Sequence, residues 1–208
     1  GLDRADDEAQ AALAEGYGLA LLCHAPGRLL ADYHTTQVPS GQRGRRFATR
    51  AEELAAPKLN TILSRRDYRS GAWHLGALWP RHGSVRWPLE ALVAAMERPG
   101  FVPYLGRKSC PLGLPLGPLI TEATDPPAAL LARHAEGPEA RLEVPRSRTL
   151  RATLADAPGE AIIVLDAADA DRNDPRLRRI EVRRDQPRSR RRWQFDLREE
   201  AVLGATPL

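Results

Sequence analysis

Short apolar runs, broken by turn residues, dominate the chain and predict more strand than helix. From Tyr17 to His24 nearly every residue is apolar or small, as in a buried strand. Pro26-Gly27 makes a turn, and Arg28 to Val38 reads as the returning strand of a hairpin. Strand character resumes at Asn60 to Tyr68 and at Ala72 to Trp79, the latter entered through Ser70-Gly71. Further on, Leu119 to Ala123, Arg141 to Val144, Ala161 to Leu165, Arg178 to Arg183 and Arg192 to Leu197 read as strands, with 166–176 as loop.

Three segments repeat at helical spacing instead. Residues 3–15 place Ala9, Ala12 and Leu13 on one stripe, with Asp3 as cap, acids in the first turn and Gly16 at the end. Residues 87–98 align Leu89, Leu92, Val93 and Met96; Pro88 suits the first turn and Pro99-Gly100 stops the helix. A third helix runs from Pro126 to about Ala135, capped by Asp125. The order, four strands and a helix, then a loop, a helix and more strands, predicts an α+β fold.

Two interruptions break this pattern. Pro39 to Leu59 contains Gly41, Gly44, Pro57 and many charges, and is long for a plain connection. Residues 99–118 are dense in Pro and Gly, which makes a stiff loop because each proline fixes φ.

With 208 residues, 42% of them apolar, the chain can bury a core in one or two small domains. It has no apolar run long enough to span a membrane, and its start is acidic where a signal peptide is basic. Cys23 and Cys110 are too few for a disulfide framework or a zinc site, which fits a reducing cytoplasm. His24, His34, His74, His82 and His134 are scattered, without metal-ligand spacing, so no metal or cofactor is expected.

The net charge is only +4, and 29 of the 31 basic residues are arginine. A GC-rich genome explains much of that bias, so the distribution is more telling. Residues 1–15 carry five acids and one base, 41–69 carry eight bases and three acids, and 172–198 carry eleven arginines and four acids. Two basic blocks on a nearly balanced chain suggest a polyanionic partner, or simply solvated faces.

Four segments could hold chemistry. In Tyr104-Leu105-Gly106-Arg107-Lys108-Ser109-Cys110-Pro111 a glycine, two cations and a hydroxyl sit between prolines, which suits either a phosphate-cradling loop or a structural turn. It is not an ATP-binding P-loop: Arg107 separates Gly106 from Lys108, and the upstream Gly100 is six positions away rather than five. In Asp32-Tyr33-His34-Thr35-Thr36-Gln37, Tyr33 and Thr35 face one side and His34 and Thr36 the other. In Leu63-Ser64-Arg65-Arg66-Asp67-Tyr68-Arg69, Arg65, Asp67 and Arg69 share one face and Arg66 and Tyr68 the other. Arginine interleaved with tyrosine suits a single-stranded backbone and its bases, or a charged edge strand. The fourth, Arg183-Arg184-Asp185-Gln186-Pro187 with Ser189 to Trp193, is a phosphate site or a solvated loop. Metal-free RNA cleavage would have Tyr33, His34, Tyr68 and Lys108 as candidate acid–base groups.

The stretches Asp32 to Thr35, Leu63 to Tyr68 and Pro103-Tyr104-Leu105-Gly106-Arg107-Lys108-Ser109-Cys110-Pro111-Leu112 together resemble the CasD family of CRISPR-associated proteins in order and spacing. So do Asp185-Gln186-Pro187-Arg188-Ser189 with Arg192-Trp193, and the acidic start. The likeness spans essentially the whole chain, with 136–177 least distinctive. It implies a ferredoxin-like (RRM-like) palm over 1–135, a thumb inserted at about 33–68, and a β-rich C-terminal part over 136–208. It implies a non-catalytic subunit of a type I-E Cascade antiviral complex. Such a subunit binds the CRISPR RNA 5′ handle, touches the backbone subunits and the large subunit, and meets target DNA only indirectly. The expected RNA-binding residues are Tyr33, His34, Arg65, Arg66, Tyr68, Gly106, Arg107, Lys108 and Ser109. A related CRISPR subclass uses a relative of this fold as the repeat-cleaving endoribonuclease; on that alternative Lys108, His34 or Tyr33 would act on the 2′-hydroxyl. The family pattern begins well upstream of Gly1, with a first palm strand and a Gly-rich segment. The expectation is that this chain alone is less stable than one carrying that segment, because a strand without its partner exposes backbone groups.

Overall fold

The structure is a computed structural model that describes residues 2–3, 5–41, 44, 46–136 and 160–205. In chain order the elements are α1 (Asp7–Gly16), β1 (Tyr17–Ala25), β2 (Arg28–Pro39), α2 (Arg50–Leu54), β3 (Leu59–Ser70), β4 (Trp73–Pro80), α3 (Leu89–Glu97), α4 (Pro126–Ala135), β5 (Ala161–Asp166), β6 (Leu177–Ser189) and β7 (Gln194–Ala205). They form two compact units, Gly1–Pro26 with Trp73–Leu208, and Gly27–Ala72. The fold is α+β, with mostly antiparallel sheet and few helices.

The first unit is an antiparallel five-stranded sheet in the order β4-β1-β5-β7-β6. Side chains alternate across a strand, so one face collects Ala20 and Leu22 of β1, Ala161, Ile163 and Leu165 of β5, and Ala201 and Leu203 of β7. Leu130 of α4, 2% exposed, seals this face, with Leu75, Ala77, Trp79 and Leu131 packed around it. Burying one leucine this fully contributes about 2 kcal/mol. α4 starts where expected: the Asp125 carboxylate accepts from the Ala128 N–H at 2.7 Å, and Pro126 opens the helix. α1 starts later than expected, because Asp6 rather than Asp3 is its cap, accepting from Ala9 N–H at 2.9 Å. That places Asp7 and Glu8 in the first turn, where the helix dipole favours acids.

Several expectations need correction. β1 and β2 do not form a hairpin: β1 pairs with β4 and β5, and β2 pairs with β3. Apolar β1 needs apolar neighbours, and polar β2 would carry Asp32 and His34 into a core. Gly27, at φ +71°, turns the chain away instead, and a Cβ there would meet Ser70 O at 2.7 Å. Leu119 to Ala123 forms no strand, since Pro115 and Pro118 withhold donors from a ladder and Leu119 and Ile120 stay exposed. Residues Arg192 and Trp193 lie in a turn, and β7 begins at Gln194 and runs on through Ala205. The run Glu199 to Gly204 carries little strand propensity; pairing with β5 on one side and β6 on the other makes it strand. β6 is longer than expected, and tolerates Pro187 because it is an edge strand with register shifts there. β5, β6 and β7 complete the sheet begun by β1 and β4, so no division falls near residue 135. The expected strand Arg141 to Val144 lies outside the described residues.

The second unit is a two-stranded ribbon. β2 and β3 pair from Arg28↔Ser70 to Pro39↔Leu59 without a register shift. The expected interruption at 39–59 is the ribbon's tip and carries α2, capped by Thr49 Oγ1, which accepts from Glu52 N–H at 3.2 Å. Arg50 ties the helix back by donating to Gln37 O at 2.6 Å.

Candidate nucleic-acid interface

The ribbon register decides which side chains meet. Directly opposed residues share a face, so Tyr33↔Arg65 stand together, as do Leu29↔Arg69 and Thr35↔Leu63. The other face holds Leu30↔Tyr68, Asp32↔Arg66 and His34↔Ser64. On the first face the Arg65 guanidinium lies 5.9 Å from the Tyr33 ring centroid, while its Nε donates to Asp67 Oδ1 at 2.9 Å. Arg65 is thus held over the ring rather than sweeping through solvent. On the second face the His34 imidazole lies beside the Asp32 carboxylate. Arg66 and Arg69 make no salt bridge among the described residues.

Large side chains stay in water on both faces. Tyr33 is 63% exposed, Ile62 62% and Leu63 68%. A two-stranded ribbon buries too little to be stable by itself, and leaving aromatic and branched side chains out is costly.

The 104–111 segment, in the other unit, is a small closed loop. Tyr104 and Pro111 bridge, Leu105 N–H donates to Cys110 O at 3.0 Å, and Cys110 N–H donates to Arg107 O at 2.9 Å. Gly106 enters that turn at φ +75° with nothing within 4 Å of where a Cβ would sit, so its requirement is backbone conformation and open approach. Lys108 and Ser109 are exposed and Arg107 is half-buried. The loop therefore offers backbone, Lys108 and Ser109 to solvent from a braced base.

The structure brings Tyr33 to Arg65 and sets His34, Arg66 and Tyr68 on one face; Gly106 to Ser109 belong to a different unit. Tyr33 and His34 point to opposite faces, so the two do not form one acid–base pair. Among the described residues no group of three or more His, Cys, Asp or Glu could hold a metal ion, and no helix is long and apolar enough to cross a membrane.

The C-terminal basic block proves partly self-neutralised. Arg172, Arg176, Arg178, Arg179, Arg183 and Arg198 all pair with carboxylates. Arg198 bridges Asp166, Asp185 and Glu200, and Arg81 joins the same cluster through Asp166 and Asp169. The charged form of Arg198 is accordingly favoured: hydrogen bonds to Asp185 and Glu200 outweigh burial and raise its pKa. Pairings such as that of Arg81 with Asp169 left no trace in the sequence. Other arginines cluster around the β6–β7 turn, where Arg190 lies 4.9 Å from the Trp193 ring centroid. Arg192 and Trp193, which the sequence reads as the start of a strand, belong to that turn, and no local pattern points to its partner, Asp7.

Known proteins give the following comparison. The family described as CRISPR-associated protein (Cas_Cas5) matches residues 1–199. The CRISPR system Cascade subunit CasD of Escherichia coli (strain K12) is 31% identical over 140 residues, 63% of this chain. That match spans 57% of the relative's own length. A chain of a CRISPR RNA-guided surveillance complex superposes with a TM-score of 0.55 at 20% identity, over 99% of this chain and 73% of its own length. At that identity the likeness bears on the fold alone.

Proposed function

This chain belongs to the Cas5/CasD family of CRISPR-associated proteins, and from that premise we propose that it is a non-catalytic RNA-binding subunit of a type I-E Cascade surveillance complex. Its ligand is the 5′ handle of the CRISPR RNA. On this reading the five-stranded unit is the family's ferredoxin-like palm and the β2–β3 ribbon is its thumb. The partners are the backbone subunits and the large subunit, assembled in the cytoplasm, with target DNA reached only through them.

One observation carries the reading: a ribbon with Tyr33 and Arg65 exposed together on one face and Arg66 exposed on the other, on the same face as a half-buried Tyr68. Exposed rings offer stacking surfaces to splayed bases, and arginines neutralise the phosphates between them. Gly106 to Ser109 add a backbone-and-cation loop of the sort that holds a phosphate. A repeat-cleaving role needs an acid and a base at one scissile phosphate, and the opposed directions of Tyr33 and His34 disfavour it.

The test is fluorescence anisotropy with the handle RNA of the protein's own CRISPR repeat against a scrambled RNA, with EDTA present. Preference for the handle without cleavage supports the reading. Equal affinity for both RNAs overturns handle recognition, and clean cleavage overturns the non-catalytic role.

A further inference from the structure

The β6–β7 turn carries chemistry that the ribbon and the 104–111 loop do not use. Ser189 pairs with Gln194, so Arg190, Arg191, Arg192 and Trp193 form the tip. Trp193 has φ +57°, and no other non-glycine residue among those described has a positive φ. A hairpin tip that needs a left-handed residue is met with least strain by glycine or asparagine; a bulky ring there is a genuine outlier. The ring is also 59% exposed, so it gains little burial in return. Strain and exposure together mark a side chain retained for something other than folding.

The ring is nevertheless held. It meets Phe195 edge-on, with centroids 5.2 Å apart at 87°, and the Arg190 guanidinium lies 4.9 Å from one centroid and 5.8 Å from the other. Beneath the tip, Asp7 at the start of α1 accepts from Ser189 Oγ at 2.7 Å and from Arg190 N–H at 3.1 Å. Of the nearby carboxylates, Asp185 is committed to Arg198 at 2.6 Å and Asp7 to the turn itself, which leaves exposed Asp196 as a single acid beside Arg188, Arg190, Arg191 and Arg192. Arg188 and Arg192 are exposed and make no salt bridge among the described residues.

We propose that this tip is a second single-stranded RNA contact, in which a base stacks on Trp193 and Arg188, Arg191 and Arg192 take the adjoining phosphates. A braced, exposed ring beside arginines is a stacking platform with an electrostatic rim. The excess of positive charge over available carboxylates favours a phosphate backbone over a protein surface. The proposal rests on the reading of the chain as an RNA-binding subunit.

The test compares the 208-residue chain with its variants for binding a fluorescein-labelled single-stranded oligoadenylate of about 20 nucleotides. Trp193→Gly is expected to weaken binding about fivefold to fiftyfold, with Trp193→Phe restoring most of it. Because glycine relieves the left-handed strain, the Trp193→Gly thermal midpoint should be no lower than the parent's, which separates a stacking defect from a folding defect. The double variant Arg191→Ala/Arg192→Ala should weaken binding and flatten its salt dependence. Parent-like RNA affinity in both Trp193→Gly and the arginine double variant overturns the proposal; if Arg66→Ala still weakens binding, the thumb reading survives. Loss of assembly with sister subunits at unchanged RNA affinity also overturns it, making the tip a protein-binding surface. No RNA binding by any form overturns both readings.

Discussion

The Asp7 carboxylate accepts a 2.7 Å hydrogen bond from the Ser189 hydroxyl, although 182 positions separate the two residues. The bond joins the first turn of α1 to the end of β6. The hydroxyl in turn accepts from Arg192 N–H at 3.1 Å, so a single carboxylate organises the whole turn. Ser189, the backbone N–H groups of Arg191 and Arg190, and the Arg191 charge together hold the Asp7 carboxyl below the usual carboxylate range.

That lowered pKa sets a pH signature. The unfolded carboxylate titrates at about 3.9 and the folded one lower, so the bond's contribution is fully present above the unfolded value. It fades as the pH falls through the folded one. Asp7→Asn should lower the thermal midpoint at neutral pH, and the gap from the parent should close on acidification. A gap independent of pH would show the carboxylate's charge to be irrelevant.

His24 and His134 give a second pH dependence of the same sign, at higher pH, this time because the fold favours the neutral form. Their rings lie 4.5 Å apart between β1 and α4, and the Nδ1 of His24 is buried without a hydrogen-bond partner among the described residues. Burial lowers both pKa values, and for His24 the neighbouring His134 adds to the shift. The folded state therefore holds fewer protons than the unfolded one. Stability should fall as the pH drops below about 6.5, the unfolded histidine value, and level off below the folded values. His134→Phe should flatten the dependence of the unfolding midpoint on pH between about 7 and about 5, a range chosen to bracket that value. An unchanged slope would assign the pH dependence elsewhere.

For folding, Gly106 is expected to be needed for its backbone conformation. Its φ of +75° penalises any side chain, while the space around it is open. Gly106→Val should cost about 1–2 kcal/mol in chemical denaturation, and Gly106→Asn less, because asparagine tolerates the left-handed region. Equal costs for the two would point to steric crowding instead of backbone strain.

Arg66 and Arg107 separate binding from folding. Each should weaken affinity for handle RNA by about 1–3 kcal/mol on change to alanine, as for a charge-assisted phosphate contact. The slope of log affinity against log salt should drop by about 0.7 for each phosphate that is no longer neutralised. Exposed Arg66 should leave the thermal midpoint in place. Unchanged affinity would remove that arginine from the interface.

How much was legible in the sequence depended on how local the cause was. Tyr17 to His24 and Ala161 to Leu165 read as strands because their composition fits a strand buried by neighbours, and Asp125-Pro126 announced α4 because capping is a matter of a few consecutive positions. The Tyr33 and Arg65 faces followed from alternation along each strand. Which strand lay opposite was not legible, because polar β2 could pair with any edge that left its side chains in water. The extent of β7 was equally hidden, since Glu199 to Gly204 becomes strand only between two partners.

By itself, then, the amino-acid order determined the alternating strands, the capped α4, the glycine at Gly106 and the run of arginine and aromatic residues that carries the family likeness. These arise from backbone sterics and side-chain period, which act over a few residues. Only the tertiary structure decided that Arg172, Arg176, Arg178, Arg179, Arg183 and Arg198 are neutralised at home, that Asp7 braces Trp193's turn, and that Tyr33 shares a face with Arg65. Charge pairing and strand register join residues distant in the chain, and no local pattern records which partner is chosen.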